Sequence, residues 1–278
     1  MEKEILLAAG GTAFITDESI RISYLRKRYA LSSSVIGGGC RPILYAVNQK
    51  LTSYCKTEKD LPGGSVASYL TYRLTEEGCD PAQSTVLLTA ARMDWFRHIC
   101  FRDGPLTVEA LTTAGVEKTA ARAGDPALYR EQDGHFQQAG TINIMLLTNA
   151  SLPEGTMVRS LITATEAKTA ALQDMGIAAV YTGHSATGTA TDGLIIVTDP
   201  QGPVYTDAGT FSALGEMIAR AVHATVTDCI ALFDTPWNRF ATLSTPPAVI
   251  QKSPSSGTGP CLAKTESKKS SLKSRSIT

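Results

Sequence analysis

Apolar and polar positions along the first 240 residues follow two different periods, which predicts a protein of mixed strands and helices. Short apolar runs bounded by Gly, Pro, Asn or Asp are typical of strands. They lie at Ile20–Leu25, Ser84–Thr89, Leu106–Thr113, Thr141–Thr148 and Gly193–Thr198. With the helices described next, these runs predict an α/β fold, an α+β layered sandwich with a mixed sheet and long amphipathic helices.

Three longer segments carry apolar residues at helical spacing: Val66–Glu77, Met157–Met175 and Phe211–Phe233. Gly78 and Gly176 follow the first two segments, and glycine commonly ends a helix. The third segment has a single apolar stripe. That stripe consists of Leu214, Ile218, Ala221, Thr225, Cys229 and Leu232.

A lysine lies within the apolar arc of the second predicted helix. At about 100° per residue, Lys168 falls inside this arc and Glu166 near its edge. The other members of the arc are Val158, Leu161, Ile162, Thr165, Leu172 and Met175. A lysine in this position must extend to water, find a carboxylate or lose its proton. The pattern leaves open a stem that reaches solvent and a site lysine paired with Glu166 or Asp192.

The composition changes near Ser244, where the chain becomes rich in Ser, Lys, Pro and Gly. Such a segment buries too little apolar surface to offset the entropy lost on ordering. We therefore expect one domain over residues 1–243 and a disordered Ser/Lys-rich tail over residues 244–278. A solvated tail and a weak tether to an acidic partner or a membrane surface both remain open.

Charge and cysteine content narrow the function classes. The formal net charge is +0, which argues against nucleic acid as a partner because nucleic acid requires a basic surface. The six cysteines are scattered, without a C-x-x-C pair, as expected for reduced thiols in a cytoplasm. No secretory signal and no membrane-spanning run is expected from the sequence. We expect a cytoplasmic protein whose oligomeric state is open, a homo-oligomer included.

Several familiar catalytic motifs are missing. The sequence has no Walker-type phosphate loop, no dinucleotide fingerprint and no G-x-S-x-G elbow. The four histidines lack zinc-ligand spacing, so no metal site is predicted. Asp133-Gly134-His135 begins like a loop that gives a histidine to cobalt, but Gln138 stands where that loop has glycine. We expect no cobalt ligand there.

Three segments of small residues remain as candidates for chemistry. Residues 31–39 end in Gly37, Gly38 and Gly39, whose backbone can approach a ligand closely. Thr141 and Asn143 lie two residues apart on a predicted strand and so share a face, where polar groups need partners. Residues 185–193 place four hydroxyls and Asp192 before a strand, a composition suited to binding an oxyanion. Turns and local caps would explain the first and third segments without any ligand.

Taken together, these segments resemble the adenosylcobinamide amidohydrolase family. The resemblance lies in LSSSVIGGG (31–39), VLLTAARMD (86–94), AGTINIMLLTN (139–149), ITATEAKTAALQDMGI (162–177) and ATGTATDGLIIVT (186–198). It covers roughly residues 15 to 235. One departure stands at residues 205–210, where the family often has a histidine turn and this chain reads YTDAGT. A fainter likeness is to the fold of self-processing aminopeptidases and ornithine acetyltransferases.

The resemblance implies hydrolysis of the aminopropanol amide of adenosylcobinamide, which yields adenosylcobyric acid and 1-amino-2-propanol. It implies no cofactor, because cobalt enters with the corrinoid substrate. We expect Thr141 to act as nucleophile or water-orienting hydroxyl, and Asn143 and the Thr187–Thr189 backbone to stabilise the oxyanion. Proton transfer is expected from Glu166, Lys168 and Asp192. Residues expected to bind the substrate are Ser32, Ser33, Gly37, Gly38, Gly39, Thr187, Gly188 and Thr189.

Two other readings stay open on the sequence. A corrinoid-binding or uptake accessory protein without catalysis would fit the missing turn histidine. An acyltransferase of the ornithine acetyltransferase kind would be split between Gly140 and Thr141, with Thr141 as the new N-terminal nucleophile.

Overall fold

Strands and helices follow one another along the chain much as the hydrophobic pattern predicts. The computed structural model describes residues 2–52, 55, 57–126 and 141–232, together with the backbone of residues 249–251. The strands are β1 (Lys3–Leu6), β2 (Thr12–Ile15), β3 (Ser19–Ser32), β4 (Gly39–Lys50), β5 (Ser84–Thr89), β6 (Arg97–Asp103), β7 (Leu106–Ala114), β8 (Ala120–Ala121), β9 (Ile142–Thr148), β10 (Gly188–Thr189), β11 (Gly193–Thr198) and β12 (Val249–Gln251). The α-helices are α1 (Val66–Glu76), α2 (Glu154–Asp174) and α3 (Ala213–Ala231).

All five predicted strands and all three predicted helices are present. Strands β5 and β11 have the predicted bounds, and the helices differ from the prediction by one to three residues at most of their ends. The 20–25 run is part of a much longer strand, β3, which continues to Ser32. The predicted class, a layered α+β fold with a mixed sheet, is confirmed.

One curled sheet organises the molecule around β3. In the described residues its order is β1-β2-β3-β11-β9-β7-β6-β12, and β4 pairs with β3 and carries β5 on its other edge. The β3–β4 register shifts between Ser23 and Arg28, so the two halves of β3 have different neighbours. The first half pairs with β2 and the second half with β11. The sheet curls so that β5 lies against β9 and β11.

Apolar side chains fill both faces of the curled sheet. Inside the curl, Ile22, Leu87 and Met145 belong to one buried cluster. Outside it, α2 and α3 cover β7, β9 and β11, and α1 covers β4 and β5. The residues of β7, β9 and β11 are therefore buried on both faces. This explains why these strands read as nearly continuous apolar runs in the sequence.

The orientation of α2 differs from the predicted arc. Val158 and Ile162 are 47% and 43% exposed, whereas Ala164 and Ala171 are fully buried. Small side chains allow α2 to lie close to α3 and to the sheet, so the bulkier apolar residues at Val158 and Ile162 face outward. The predicted arc is wrong at these two positions and at Thr165, which is also exposed, although Lys168 and Leu172 are buried as expected.

The glycines of residues 31–39 form the turn between β3 and β4, a hairpin that the sequence pattern did not predict. Gly37 and Gly39 have φ values of 71° and 77°, a conformation that favours glycine. A side chain at Gly37 would also collide with the backbone of Ser84 on β5. The turn thus holds β5 against the end of β3.

The segment predicted as a tail is described at only three residues. The backbone of β12 pairs in parallel with β6, so residues 249–251 extend the sheet. The rest of 244–278 lies outside the described residues. No helix in the part of the chain that the structure describes is long and apolar enough to cross a membrane.

Candidate functional site

Asp192 is the centre of a polar cluster at the first residues of β9 and β11. Its Oδ1 accepts from the Ile142 backbone N–H at 3.1 Å and from the Thr189 hydroxyl at 2.5 Å. Its Oδ2 accepts from the Thr189 N–H at 3.1 Å and from the Lys168 ammonium. Four donors therefore surround the carboxylate, which fixes the turn before β11 against β9 and α2.

Lys168 reaches this cluster from the buried side of α2. Its side chain is 11% exposed and forms an ion pair with Asp192, one of the two partners that the sequence allowed. A Cβ at Gly188 would lie 2.7 Å from Lys168 Nζ and even closer to Asp192. Gly188 therefore leaves the space in which the ammonium and the carboxylate meet.

Thr141 and Asn143 share a face, as their spacing predicts. The Thr141 hydroxyl donates to the Thr191 carbonyl oxygen at 2.5 Å and lies 3.5 Å from Asn143 Oδ1. Thr141 and Asn143 are each 1% exposed. Because Asp192 binds the N–H of Ile142, between these two residues, Thr141, Asn143, Lys168 and Asp192 form one site, called the Thr141 cluster below.

Both N–H bonds of the Asn143 amide are used within the protein. One donates to Asn48 Oδ1 at 2.7 Å and the other to the Leu88 carbonyl oxygen at 3.0 Å. Asn48 Nδ2 in turn donates to the Thr113 hydroxyl at 2.9 Å. Sequence reasoning missed Asn48 and Thr113. Had residues 39–50 been predicted as a strand, Asn48 would have stood out as a polar residue on an apolar face. Gly39 and Pro42, which are uncommon in strands, hid this strand from the pattern.

The threonines of the third segment also have protein partners. The Thr187 N–H donates to the Ala121 carbonyl oxygen, and the Thr187 hydroxyl accepts from Ala123 N at 2.8 Å. The Thr189 N–H is held by Asp192. The backbone donors expected to stabilise an oxyanion at Thr187 and Thr189 are therefore occupied in this conformation.

Residues 32–34 lie next to the Thr141 cluster along β5. Ser33 Oγ accepts from Leu194 N at 3.0 Å, and Ser34 Oγ lies 3.1 Å from the Thr85 hydroxyl, near the start of β5. The Ser32 and Ser34 hydroxyls share a hydrogen bond of 2.5 Å. Thr85 and Leu88 are three residues apart, about 10 Å along a strand. The expected binding segment is thus a neighbour of the Asn143 amide.

Glu166 is the predicted site residue that the structure separates from the others. It is exposed on the outer side of α2. Two residues span about 200° around a helix, so Glu166 and Lys168 point in nearly opposite directions. His135 and Gly140, named in the sequence analysis, lie outside the described residues.

A second buried polar cluster occupies the opposite end of the curl. Glu109 accepts from the Ala9 N–H at 2.6 Å and lies 3.0 Å from His98 Nε2. Burial raises the pKa of the nearby Tyr24 well above its usual value. Arg28 forms an ion pair with Asp199 beside this group. The hydrophobic pattern gave no signal for this cluster, because its members come from separate strands.

Two surface clefts of the described residues lie away from the Thr141 cluster. One is lined by Asp17, Lys50, Arg92 and Asp94. The hydrogen bond from Arg92 keeps the pKa of Asp94 below its usual value. Within the Thr141 cluster, Thr141 and Asn143 are buried, whereas the side chains of Lys168 and Asp192 are 11% and 16% exposed.

The family model for adenosylcobinamide amidohydrolase matches residues 8–235, which include every described member of the Thr141 cluster. The chain belongs to this family. It is 29% identical over 163 residues to an adenosylcobinamide amidohydrolase of Halobacterium salinarum, covering 58% of this chain and 65% of that protein. It is 30% identical over 167 residues to that of Methanosarcina mazei, covering 60% and 68%.

Another relative is the uncharacterized protein MJ1613 of Methanocaldococcus jannaschii. It is 36% identical over 171 residues, which cover 56% of this chain and 66% of that protein. The chain therefore spans about two thirds of the length of the relatives it matches. The family assignment agrees with the resemblance seen in the sequence over roughly residues 15 to 235.

Proposed function

We propose that this protein hydrolyses the aminopropanol amide of adenosylcobinamide, releasing adenosylcobyric acid and 1-amino-2-propanol. The observation that carries the proposal is the family match over residues 8–235, with the Thr141 cluster inside it. Two relatives bear the name adenosylcobinamide amidohydrolase. Cobalt belongs to the substrate in this reaction.

Amide hydrolysis requires a nucleophile, donors for the oxyanion and an acid for the leaving amine. In the proposed reaction the Thr141 oxygen, or a water oriented by it, attacks the amide carbonyl carbon. With water as the nucleophile, the carbonyl carbon gains the water oxygen as the C–N bond breaks, and one proton of that water ends on the leaving amine. With Thr141 as the nucleophile, the hydroxyl proton ends on the amine, and one water then hydrolyses the Thr141 ester and restores the hydroxyl. Lys168 is bonded to Asp192, which also holds the Ile142 N–H next to Thr141, and its ammonium is suited to stabilise negative charge and to relay the proton.

Asp192 has a positioning role in this scheme. Its carboxylate accepts from four donors and thereby orients Lys168 and the Ile142 backbone. Glu166 has no part in it, since its side chain faces away from the cluster. The acceptors near the Thr141 hydroxyl are the Thr191 carbonyl and the Asn143 amide oxygen.

The direct test is to incubate the purified protein with adenosylcobinamide and to measure both products by mass spectrometry. We expect product from the unmodified protein, a loss of at least 10²-fold for Thr141→Ala and partial activity for Thr141→Ser, which keeps the hydroxyl. Normal turnover by a folded Thr141→Ala variant would rule out Thr141 as the nucleophile. Absence of product from the unmodified protein would rule out the proposed reaction.

One observation favours a second function, corrinoid binding without hydrolysis. The Thr141 hydroxyl, the Asn143 amide and the Asp192 carboxylate are all bonded to protein partners, and residues 205–210 lack the turn histidine. Equilibrium dialysis with adenosylcobinamide distinguishes the two functions, because a binding protein would retain the corrinoid unchanged. A denaturing gel adds a separate check, since an N-terminal nucleophile at Thr141 would require two fragments.

A further inference from the structure

Three buried polar side chains from three strands meet inside the curled sheet. Asn48 on β4, Thr113 on β7 and Asn143 on β9 are each at most 1% exposed. Burying an amide without a hydrogen-bond partner costs several kcal/mol in principle, and these side chains find their partners in one another. Apolar side chains, including Ile22, Leu111 and Met145, separate this group from the Glu109 cluster at the other end of the curl.

The hydrogen bonds of this group have a defined direction. The Leu88 carbonyl can only accept, so the contact at 3.0 Å assigns the NH2 group of Asn143 to that side. The second Asn143 N–H must then meet the oxygen of Asn48, as observed at 2.7 Å. This orientation of Asn48 turns its own NH2 group to the Thr113 hydroxyl at 2.9 Å.

One consequence concerns the free end of the Asn143 amide. With both N–H bonds occupied, Asn143 has only its Oδ1 left to act on the site. This oxygen lies 3.5 Å from the Thr141 hydroxyl. A Cβ at Gly193 would lie only 2.7 Å from the same oxygen, so glycine at this position leaves room for it.

We propose that Asn48 is a positioning residue that acts through Asn143 on Thr141, with Thr113 as its anchor. The inference rests on the proposed amide hydrolysis and assigns Asn143 Oδ1 the role of a second contact of the Thr141 hydroxyl, at 3.5 Å, beside the shorter bond of that hydroxyl to the Thr191 carbonyl. Asn48 itself contacts no reacting atom. If packing were its only role, an apolar side chain of similar volume would serve the core as well.

The neighbouring residue Gln49 provides a matched control. It is fully buried like Asn48, but its side-chain NH2 group donates to the carbonyl oxygens of Glu18 and Lys50, away from the Thr141 cluster. Asn48→Leu and Gln49→Leu therefore each remove one buried amide. Only Asn48→Leu removes a group bonded to Asn143.

The test is steady-state hydrolysis of adenosylcobinamide by both variants. We expect Asn48→Leu to lower kcat by about 10²-fold, since a displacement near 1 Å at a reacting group has an effect of this size. Its KM should change less than twofold, and Gln49→Leu should keep the normal kcat. The double variant Asn48→Leu/Asn143→Ala should be no slower than Asn143→Ala, because residues that act as a unit have non-additive effects.

A normal kcat for Asn48→Leu, an equal loss in Gln49→Leu or additive losses in the double variant would overturn the inference. If Asn48→Leu does not fold, Thr113→Val and Thr113→Ser take its place. A lower kcat in Thr113→Val and a normal kcat in Thr113→Ser would support the positioning role of Asn48. Equal kcat values in the two variants would contradict it. No product from the unmodified protein would overturn the proposed function and this inference with it.

Discussion

Lys168 and Glu166 are two positions apart on α2 and have opposite surroundings. The Lys168 ammonium lies in the protein beside the Asp192 carboxylate, whereas Glu166 is exposed to solvent. Removing one partner of a buried ion pair leaves an uncompensated charge. The remaining donors to Asp192, from Ile142 and Thr189, moderate this cost without removing it.

We therefore predict that Lys168→Met lowers the free energy of unfolding by about 3 kcal/mol. Glu166→Met is the control and should change it by less than about 0.5 kcal/mol, as for most surface substitutions. Urea denaturation of both variants measures the difference. A Lys168→Met variant as stable as the unmodified protein would show that the ion pair contributes nothing to stability.

Gly188 and Gly155 provide a second residue-scale comparison. A Cβ at Gly188 would overlap with the Lys168–Asp192 pair, whereas a Cβ at Gly155, in the first turn of α2, meets no atom within 4 Å. We predict that Gly188→Ala destabilises the protein by about 1–3 kcal/mol. Gly155→Ala should be neutral or stabilise it by up to about 1 kcal/mol. Thermal unfolding followed by circular dichroism tests both, and equal shifts would contradict the packing at Gly188.

Cys229 links stability to pH. Burial raises the pKa of this thiol to about 12, and the thiol donates to the Thr112 carbonyl oxygen at 3.3 Å. Above the unfolded-state pKa, about 8.5, the unfolded chain loses this proton while the folded protein keeps it. Stability should therefore fall as pH rises, with Cys229 contributing about 1.4 kcal/mol per pH unit between about pH 9 and 11.

Urea denaturation between pH 8 and 11 tests this prediction against Cys229→Ala. The variant should have a shallower dependence on pH, even if the lost thiol lowers its stability at pH 8. Identical slopes for the two proteins would show that Cys229 ionises as readily in the folded state as in the unfolded chain.

At the scale of elements, the face that α2 buries is set by its neighbours. Its Ala164 and Ala171 are fully buried, and Leu172 is buried with them, whereas Ile162 is 43% exposed. The apolar residues of α2 extend around more of the helix than the protein covers. Periodicity alone therefore located the helix and misplaced part of its buried face.

We predict that Ile162→Gln changes the free energy of unfolding by less than about 0.5 kcal/mol. Leu172→Ala should lower it by about 2–5 kcal/mol, because the lost side chain leaves a cavity in the core. Chemical denaturation of the two variants is the measurement. A large loss in Ile162→Gln would mean that another surface covers this side of α2 in solution.

At the scale of the whole molecule, Glu109 joins the N-terminal hairpin to β7, a distant strand of the same sheet. Its carboxylate, buried on β7, binds the Ala9 N–H in the turn between β1 and β2 and also contacts His98 on β6. Two elements separated by 100 residues in sequence thus depend on one side chain. Without the carboxylate, the Ala9 N–H and His98 would be left buried without this partner.

We predict that Glu109→Val lowers the free energy of unfolding by about 2–4 kcal/mol. The Ala9 N–H and His98 would each lose a partner, and a buried polar group without a hydrogen bond costs about 1–3 kcal/mol. Glu109→Gln should lose less, because its amide oxygen still accepts from Ala9. Hydrogen exchange should accelerate in residues 5–15 of Glu109→Val before the rest of the sheet. Uniform exchange across the molecule would contradict a local role for Glu109.

The sequence by itself determined the class of fold, the positions of five strands and three helices, and the residues of the Thr141 cluster as candidates for a site. It paired Thr141 with Asn143 because alternate residues of a strand share a face. It also placed Lys168 on the apolar arc of its helix, because helical spacing follows from the chain alone, and left the surroundings of its ammonium open. These are local properties that each segment carries independently of its neighbours.

Only the tertiary structure decided which groups meet across the sheet. Asn48 and Thr113 join Asn143 because β4 and β7 approach β9, and Glu166 faces solvent because α3 and the sheet cover the other side of α2. The His98–Glu109 pair depends in the same way on the alignment of β6 with β7. Periodicity specifies which side a residue faces, whereas its partners depend on contacts distant in sequence.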